Sequence, residues 1–307
     1  MCNPECTVRK KDAALVDSKK TGFPLASTLL LVWVFSMTFL ARTILSPLLL
    51  EVKGELGITH AEGGSLFLVI SIGLITTMLF SGLLLQRIHH RTAIVLSALL
   101  AAGGLLALSI AEGLFAFRVA LFVIGAGAGL YLPSGMTTLT DVVPEKEWGR
   151  AIALHELGPI FGLAAAPFLA ELALRYAGWR LLMALLGVAA LLAAIAFRRY
   201  SGGGRFFGTP PQWSEVGRLF RKRQFWIIAF LFVMALGLEM GVYSMLPTYL
   251  VTIHDLPRSF VNTVVSTSRL TSLLMVFLAG WATDHLGYRR VLAGIALTSG
   301  LVTATLG

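Results

Sequence analysis

Apolar residues dominate nine stretches of the chain, at about 24–50, 63–85, 93–111, 114–140, 151–174, 180–197, 224–252, 259–283 and 291–307, with short polar segments between them. Most are close to or above the ~20 residues that an α-helix needs to cross a bilayer. They predict about nine membrane spans. The ~10-residue alternating segments of an outer-membrane barrel are absent. The expected fold class is an all-α membrane protein.

The polar segments divide the chain further. Residues 1–23 form a polar, basic tail, 24–200 hold six spans, and 201–223 form a linker with Ser201-Gly202-Gly203-Gly204 and Pro210-Pro211. Three spans follow at 224–307. Two tight basic hairpins, Gly82 to Arg91 and Gly280 to Arg290, sit at equivalent places in the two halves. The chain is therefore read as an internally duplicated bundle, an arrangement many transporters use, with the site between the repeats near the midplane. Because it stops within the third span of the second half, a C-terminally truncated chain lacking about three helices is expected.

Composition agrees. With 56% hydrophobic and 13% charged residues, and a mean hydropathy of +0.80, there is too little polar surface for a soluble globule. Placing the N-terminus in the cytoplasm puts the Lys and Arg of the tail, both hairpins and the linker inside, leaving only Lys53, Arg175, Arg180 and Arg258 outside. The positive-inside rule thus predicts an integral cell-membrane (plasma or inner) protein with a cytoplasmic N-terminus. The net charge of +9 reflects topology. The basic residues are scattered over separate loops instead of forming one face, so the lipid bilayer is an expected partner and nucleic acid is not.

Chemistry-bearing motifs are sparse. Cys2 and Cys6 stand without companions for a disulfide framework or a metal site. No zinc spacing, hydrolase elbow or Walker loop occurs, so neither an enzyme, a cofactor nor an ATP-driven pump is supported. Gly125-Ala-Gly127-Ala-Gly129 lies mid-span with no strand before it, and predicts close helix packing. Pro47, Pro159, Pro167 and Pro247 break spans one, five and seven and free carbonyls toward a cavity.

Charges inside the spans carry the functional argument, because one at mid-bilayer costs at least ~2.5 kcal/mol on insertion scales and is usually paired, hydrated or used. At ~1.5 Å per residue, Arg42 falls about a turn outside the middle of span one, and Glu239 and Arg269 near the middle of spans seven and eight. Arg42 has no acid at matching depth in its own half and is the candidate for binding an anion, which a guanidinium holds through two parallel hydrogen bonds. Its alternative is to snorkel outward. Glu239 and Arg269 are read either as a structural ion pair or as coupling and binding groups. His155-Glu156, in span five, is a second candidate for accepting a coupling proton.

Several motifs together resemble the major facilitator superfamily. Gly280, Asp284, Gly287, Arg289 and Arg290 match its loop motif in the second half. In the first half Gly82, Arg87 and Arg91 match, but Gln86 and His89 stand where an acid and a glycine are expected. Arg118 with Gly125, Gly127, Gly129 and Pro133 in span four, Gly149-Arg150-Ala151 and Gly158-Pro159-Ile-Phe-Gly162 in span five, and Gly178-Trp179-Arg180 at span six extend the likeness. It implies two six-helix bundles, a monomer at full length, and hairpins that latch the inner gate, with Asp284 meeting the start of span five near Arg150. It further implies a role for Arg118 in proton coupling or packing. The setting of Arg42, Leu-Ala-Arg-Thr-Ile-Leu-Ser-Pro47, resembles the organic-anion and organophosphate carriers of that family.

The combined expectation is a secondary transporter working by alternating access, taking up a small organic anion with a proton. Arg42 and Arg269 would hold the substrate, and Glu239, His155, Glu156 and Arg118 would serve coupling. A proton-driven efflux antiporter is the alternative, with Gly158-Pro159-x-x-Gly162 a partial match to the antiporter motif. A nonconducting or partner-dependent fragment is the second.

Overall fold

A computed structural model describes residues 24–209, 213–237 and 243–304. Among them there is no strand, only one isolated bridge pair. Span one is two helices, α1 (Leu25–Thr43) and α2 (Leu45–Leu56). Then come α3 (His60–Leu84), α4 (His90–Ile110), α5 (Gly113–Val142), α6 (Trp148–Tyr176) and α7 (Trp179–Tyr200). A short helix α8 (Trp213–Phe220) precedes α9 (Arg223–Leu236), α10 (Tyr243–Ile253), α11 (Arg258–Leu286) and α12 (Tyr288–Ala304). Six apolar segments of the first half are long enough to cross a membrane, with α1 and α2 counted as one, and α9 and α10 contribute shorter apolar pieces of span seven. With α11 and α12 the chain reaches about nine spans, six in the first half and three in the second. Glu239 lies outside the described residues, as do the basic tail and both cysteines.

Local chemistry sets the boundaries. Pro47 lacks the N–H that would bond the carbonyl of Thr43, and span one breaks between those residues. Thr59 and Glu62 form a reciprocal capping box at the start of α3, the Thr59 side chain accepting from the Glu62 N–H and Glu62 from the Thr59 N–H at 2.8 Å. Gly178, at φ +81°, turns α6 into α7. The next two residues both hold Glu55 of α2, through Trp179 Nε1 at 2.8 Å and Arg180 Nε at 2.9 Å.

The first half is packed backbone to backbone. In lipid, apolar side chains gain little by leaving an equally apolar solvent, so small residues that admit close contact drive helix association. Helix α5 does this on two sides. A Cβ at Gly125 or Gly129 would collide with the carbonyls of Ile70 and Leu74 in α3, and one at Gly127 would lie 2.8 Å from the carbonyl of Ser97 in α4. On α6, Gly158 and Gly162 bring that helix against α1, with a hypothetical Cβ 3.2 Å from the Val32 oxygen and 3.2 Å from the Leu40 nitrogen. Outward-facing Leu68, Leu79 and Phe80 of α3 are more than half exposed, as lipid contact requires.

The segment after α7 is structured. Residues 201–208 lie as a strap across the end of the first half that carries its basic hairpin. Arg91 donates from both Nη atoms to the carbonyls of Ser201 and Arg198, at 2.5 and 2.6 Å. Gly202 N–H donates to Ser27 Oγ and Gly204 N–H to Asp141, each at 3.0 Å. The N–H groups of His90 and Arg91 donate to the carbonyls of Phe206 and Gly204, and Gly208 N–H to that of Leu85. His89 and His90 pack at a tilt against Phe207 and Phe206, with centroids 4.2 and 4.9 Å apart. The strap thus joins the ends of α1, α3, α4, α5 and α7.

Two outcomes check this packing. Replacing Gly129 with Val should lower the stability of the purified protein by about 1–3 kcal/mol, because the neighbouring backbone cannot retreat, whereas Gly82→Ala, facing open space, should leave the thermal midpoint unchanged. Arg91→Gln should speed limited tryptic cleavage after Arg205 several-fold by freeing the strap.

Candidate functional site

Between the halves lies a cavity of about 450 Å³. Arg42, Thr43, Ser46 and Pro47 of α1 and α2 form one wall, Phe67, Ser71 and Leu74 of α3 and Leu163 and Pro167 of α6 the next, and Ser244, Met245, Pro247 and Val265 of the second half close it. The break between α1 and α2 lies at its wall, but α6 runs unbroken through Pro159 and Pro167 and α10 through Pro247, so these prolines do not divide their helices as the sequence predicts. Pro47 and Pro247 line the cavity from spans one and seven.

Arg42 is the charged group that the described residues place in this wall. Its guanidinium sits over the Phe39 ring, 4.3 Å from the centroid, a cation–π contact that partly offsets desolvation. Its Nε is enclosed and finds no hydrogen-bond acceptor among the described residues. A buried donor without an acceptor costs about 1–3 kcal/mol, and an anion entering the cavity would remove that cost. Ser46 spans the halves, its Oγ donating to the Ser244 carbonyl at 2.7 Å.

At the end of the bundle away from the basic hairpins, a charged cluster joins the halves. Arg258, at the start of α11, pairs with Glu51 of α2 and, at 3.4 Å, with Glu171 of α6. Asn262, one turn on and 2% exposed, donates to the same Glu171 oxygen at 3.2 Å. The sequence reading used Arg258 only as an outside charge and did not single out Glu51, Glu171 or Asn262. The available signal was the matching depth of opposite charges near the ends of spans one, five and eight.

Other expected site residues fall elsewhere. His155 is 1% exposed and faces the core of the first half. Its ring stacks on Phe35 at 4.4 Å, its Nε2 lies 2.9 Å from the Tyr131 hydroxyl, and its Nδ1 is 3.3 Å from Glu156. Tyr131 in turn donates to the Leu31 carbonyl at 2.8 Å. Arg118 ties α5 to α3 through Ser65 Oγ at 3.1 Å. Gln86 bonds its own turn, through the Gly82 carbonyl at 3.3 Å. Arg150 pairs with Glu147 at 4.0 Å, while Gly287, at φ +81°, turns the second hairpin ahead of exposed Arg289 and Arg290. Arg269 lies one turn beyond Val265 in α11. Its side chain and that of Asp284 are outside the described set, so neither the pairing with Glu239 nor the Asp284 latch is seen.

The structure is thus a membrane-spanning helical bundle with a cavity between its halves and a buried cation in the wall. Residues 31–307 match the Major Facilitator Superfamily, and the chain belongs to that family. It is 25% identical over 277 residues to the uncharacterized MFS-type transporter YbcL of Bacillus subtilis (strain 168), covering 88% of this chain and 70% of that one. Against the 4-hydroxybenzoate transporter PcaK of Pseudomonas putida the identity is 27% over 166 residues, 54% of this chain and 36% of PcaK. The fold matches a bacterial homolog of the human lysosomal transporter Spinster, in an inward-facing, unoccupied conformation, with a TM-score of 0.72 at 16% identity. That match covers 88% of this chain and 64% of the other. The chain thus spans roughly a third to seven tenths of these proteins.

If the Arg258 cluster holds its end of the bundle shut, Arg258→Gln should make a cysteine at Ser71 several-fold more reactive toward a membrane-impermeant thiol reagent added from that side. The measurement needs Cys2 and Cys6 replaced by Ser. Unchanged labelling would show that apolar packing alone closes this end.

Proposed function

We propose that the protein is a secondary active transporter that takes up a small organic anion together with a proton, by alternating access. The observation that carries this reading is Arg42: a permanently charged donor, enclosed at Nε and without an acceptor among the described residues, in the wall of a cavity between two halves. A carboxylate supplies both the charge and the lone pairs that a guanidinium lacks there. The mostly apolar remainder of the wall, from Phe67, Leu74, Leu163, Met245 and Val265, suits a substrate with an apolar body. The likeness to a transporter of 4-hydroxybenzoate, an aromatic carboxylate, supports the same class.

In this reading the Arg258 cluster closes the outer end, the basic end faces the cytoplasm, and substrate leaves there. Arg269 of α11 contributes to anion binding. Glu239, in span seven, carries the coupling proton, because His155 is enclosed in the first-half core and stands off the cavity.

The deciding experiment is uptake of radiolabelled 4-hydroxybenzoate and related monocarboxylates by cells expressing the native protein, compared with Arg42→Gln. Uptake should fall about 10- to 100-fold, the equivalent of the ~1.5–3 kcal/mol of a charged hydrogen bond, and Arg42→Lys should recover part of it. Transport of neutral or cationic compounds that survives Arg42→Gln would instead support the efflux alternative.

A further inference from the structure

The segment that joins the halves contains a surface that neither the cavity nor the strap uses. Helix α8 is amphipathic at its described positions. At 100° per residue, Val216, Leu219 and Phe220 fall within one arc of about 100°, and Arg218 lies on the opposite side. Leu219 and Phe220 are 45% and 49% exposed. Arg221, Lys222 and Arg223 follow directly and are all exposed. The stretch 213–223 therefore carries four cations against one acid, Glu215.

This surface is held in a fixed turn. The Lys222 N–H donates to the Leu219 carbonyl and the Phe225 N–H to the Lys222 carbonyl, both at 3.0 Å. Trp226, the fourth residue of α9, donates from Nε1 to the Phe220 carbonyl at 2.8 Å. Phe220 packs against Phe225 and Trp226 with centroids 5.1 and 5.8 Å away. Covalent reach adds a second constraint. Gly208 is hydrogen-bonded to Leu85 at the hairpin that ends α3, and α8 begins five residues later, at most about 18 Å away at ~3.5 Å per residue. The short helix is thereby kept near the level where the spans end.

We infer that α8 and the Arg221-Lys222-Arg223 turn form an interfacial docking site for anionic phospholipids, with the apolar arc among the upper acyl carbons and the three cations on headgroup phosphates. The chemistry matches on each point. An amphipathic helix lies in the interface with its apolar face down, aromatic rings such as Phe220 and Trp226 favour headgroup level, and clustered Lys and Arg beside a span attract anionic lipid. Guanidinium groups hold phosphate oxygens in pairs. The strap and this site together would keep the linker on the membrane surface while the halves move.

Native mass spectrometry of the purified full chain, incubated with equal amounts of phosphatidylglycerol and phosphatidylcholine, tests this. Phosphatidylglycerol should be retained in preference. R221Q/K222Q/R223Q should reduce its retention at least fivefold with helicity unchanged by circular dichroism, while R221K/R223K should keep it. R198Q/R199Q, which removes two cations from the last turn of α7 and none from α8 or the turn after it, should also keep it. Equal retention of both lipids, an unchanged triple variant, or an equal loss in R198Q/R199Q would overturn the inference. So would complete displacement of the lipid by millimolar inorganic phosphate, which would mark a bare anion site.

Discussion

The first half depends on the backbone of α5 touching the backbones of α3 and α4 at once. Lipid supplies no hydrophobic drive between helices that are all apolar, so association rests on contact, and contact is closest where side chains are absent. Gly125 and Gly129 face one neighbour and Gly127 the other, because successive positions on a helix point to different sides. A central helix wedged in this way fixes the spacing of α3 and α4. Helix α6 is set against α1 by the same device at Gly158 and Gly162, which gives those residues a packing role independent of any motif they share with antiporters.

That rigid frame is what makes the functional part affordable. The cavity lies beside the break between α1 and α2, with Pro47, Pro167 and Pro247 in its wall, while α6 and α10 run unbroken through Pro167 and Pro247. Arg42 is placed there by the break in span one, with Phe39 one turn earlier beneath its guanidinium. Opposite charges at the far end do a different job. Glu51 and Glu171 from the first half meet Arg258 from the second, so moving the halves apart at that end would leave two carboxylates without their cation. The desolvation of such half-buried charges offsets much of their mutual attraction, so the pair adds little net stability.

The hairpin of the first half departs from the family pattern at Gln86 and His89, and the structure supplies a local reason for one of the two. His89 packs at a tilt against Phe207 and pairs with it as an isolated bridge, so the residue standing in the place of a glycine helps hold the strap. Arg91, which does fit the pattern, spends both Nη atoms on carbonyls of the chain that follows α7. Gln86 satisfies only its own turn. Nothing in the structure gives it a wider role.

By itself the sequence determined the fold class, the approximate number of spans and the candidacy of Arg42, because each follows from local quantities: apolar length and the cost of a lone charge in lipid. Tertiary structure decided which of these groups meet. His155 and Arg42 both read in sequence as candidates, one for a coupling proton and one for an anion, yet the fold sends the first into a Phe35–Tyr131 stack and the second into the cavity wall. The linker reads only as a polar connection between the halves, because backbone N–H and C=O groups carry no sequence signature, and it is mainly these that dock residues 201–208. Glu51, Glu171 and Arg258 stand 120 and 87 positions apart, and only folding puts opposite charges at one depth within reach of each other.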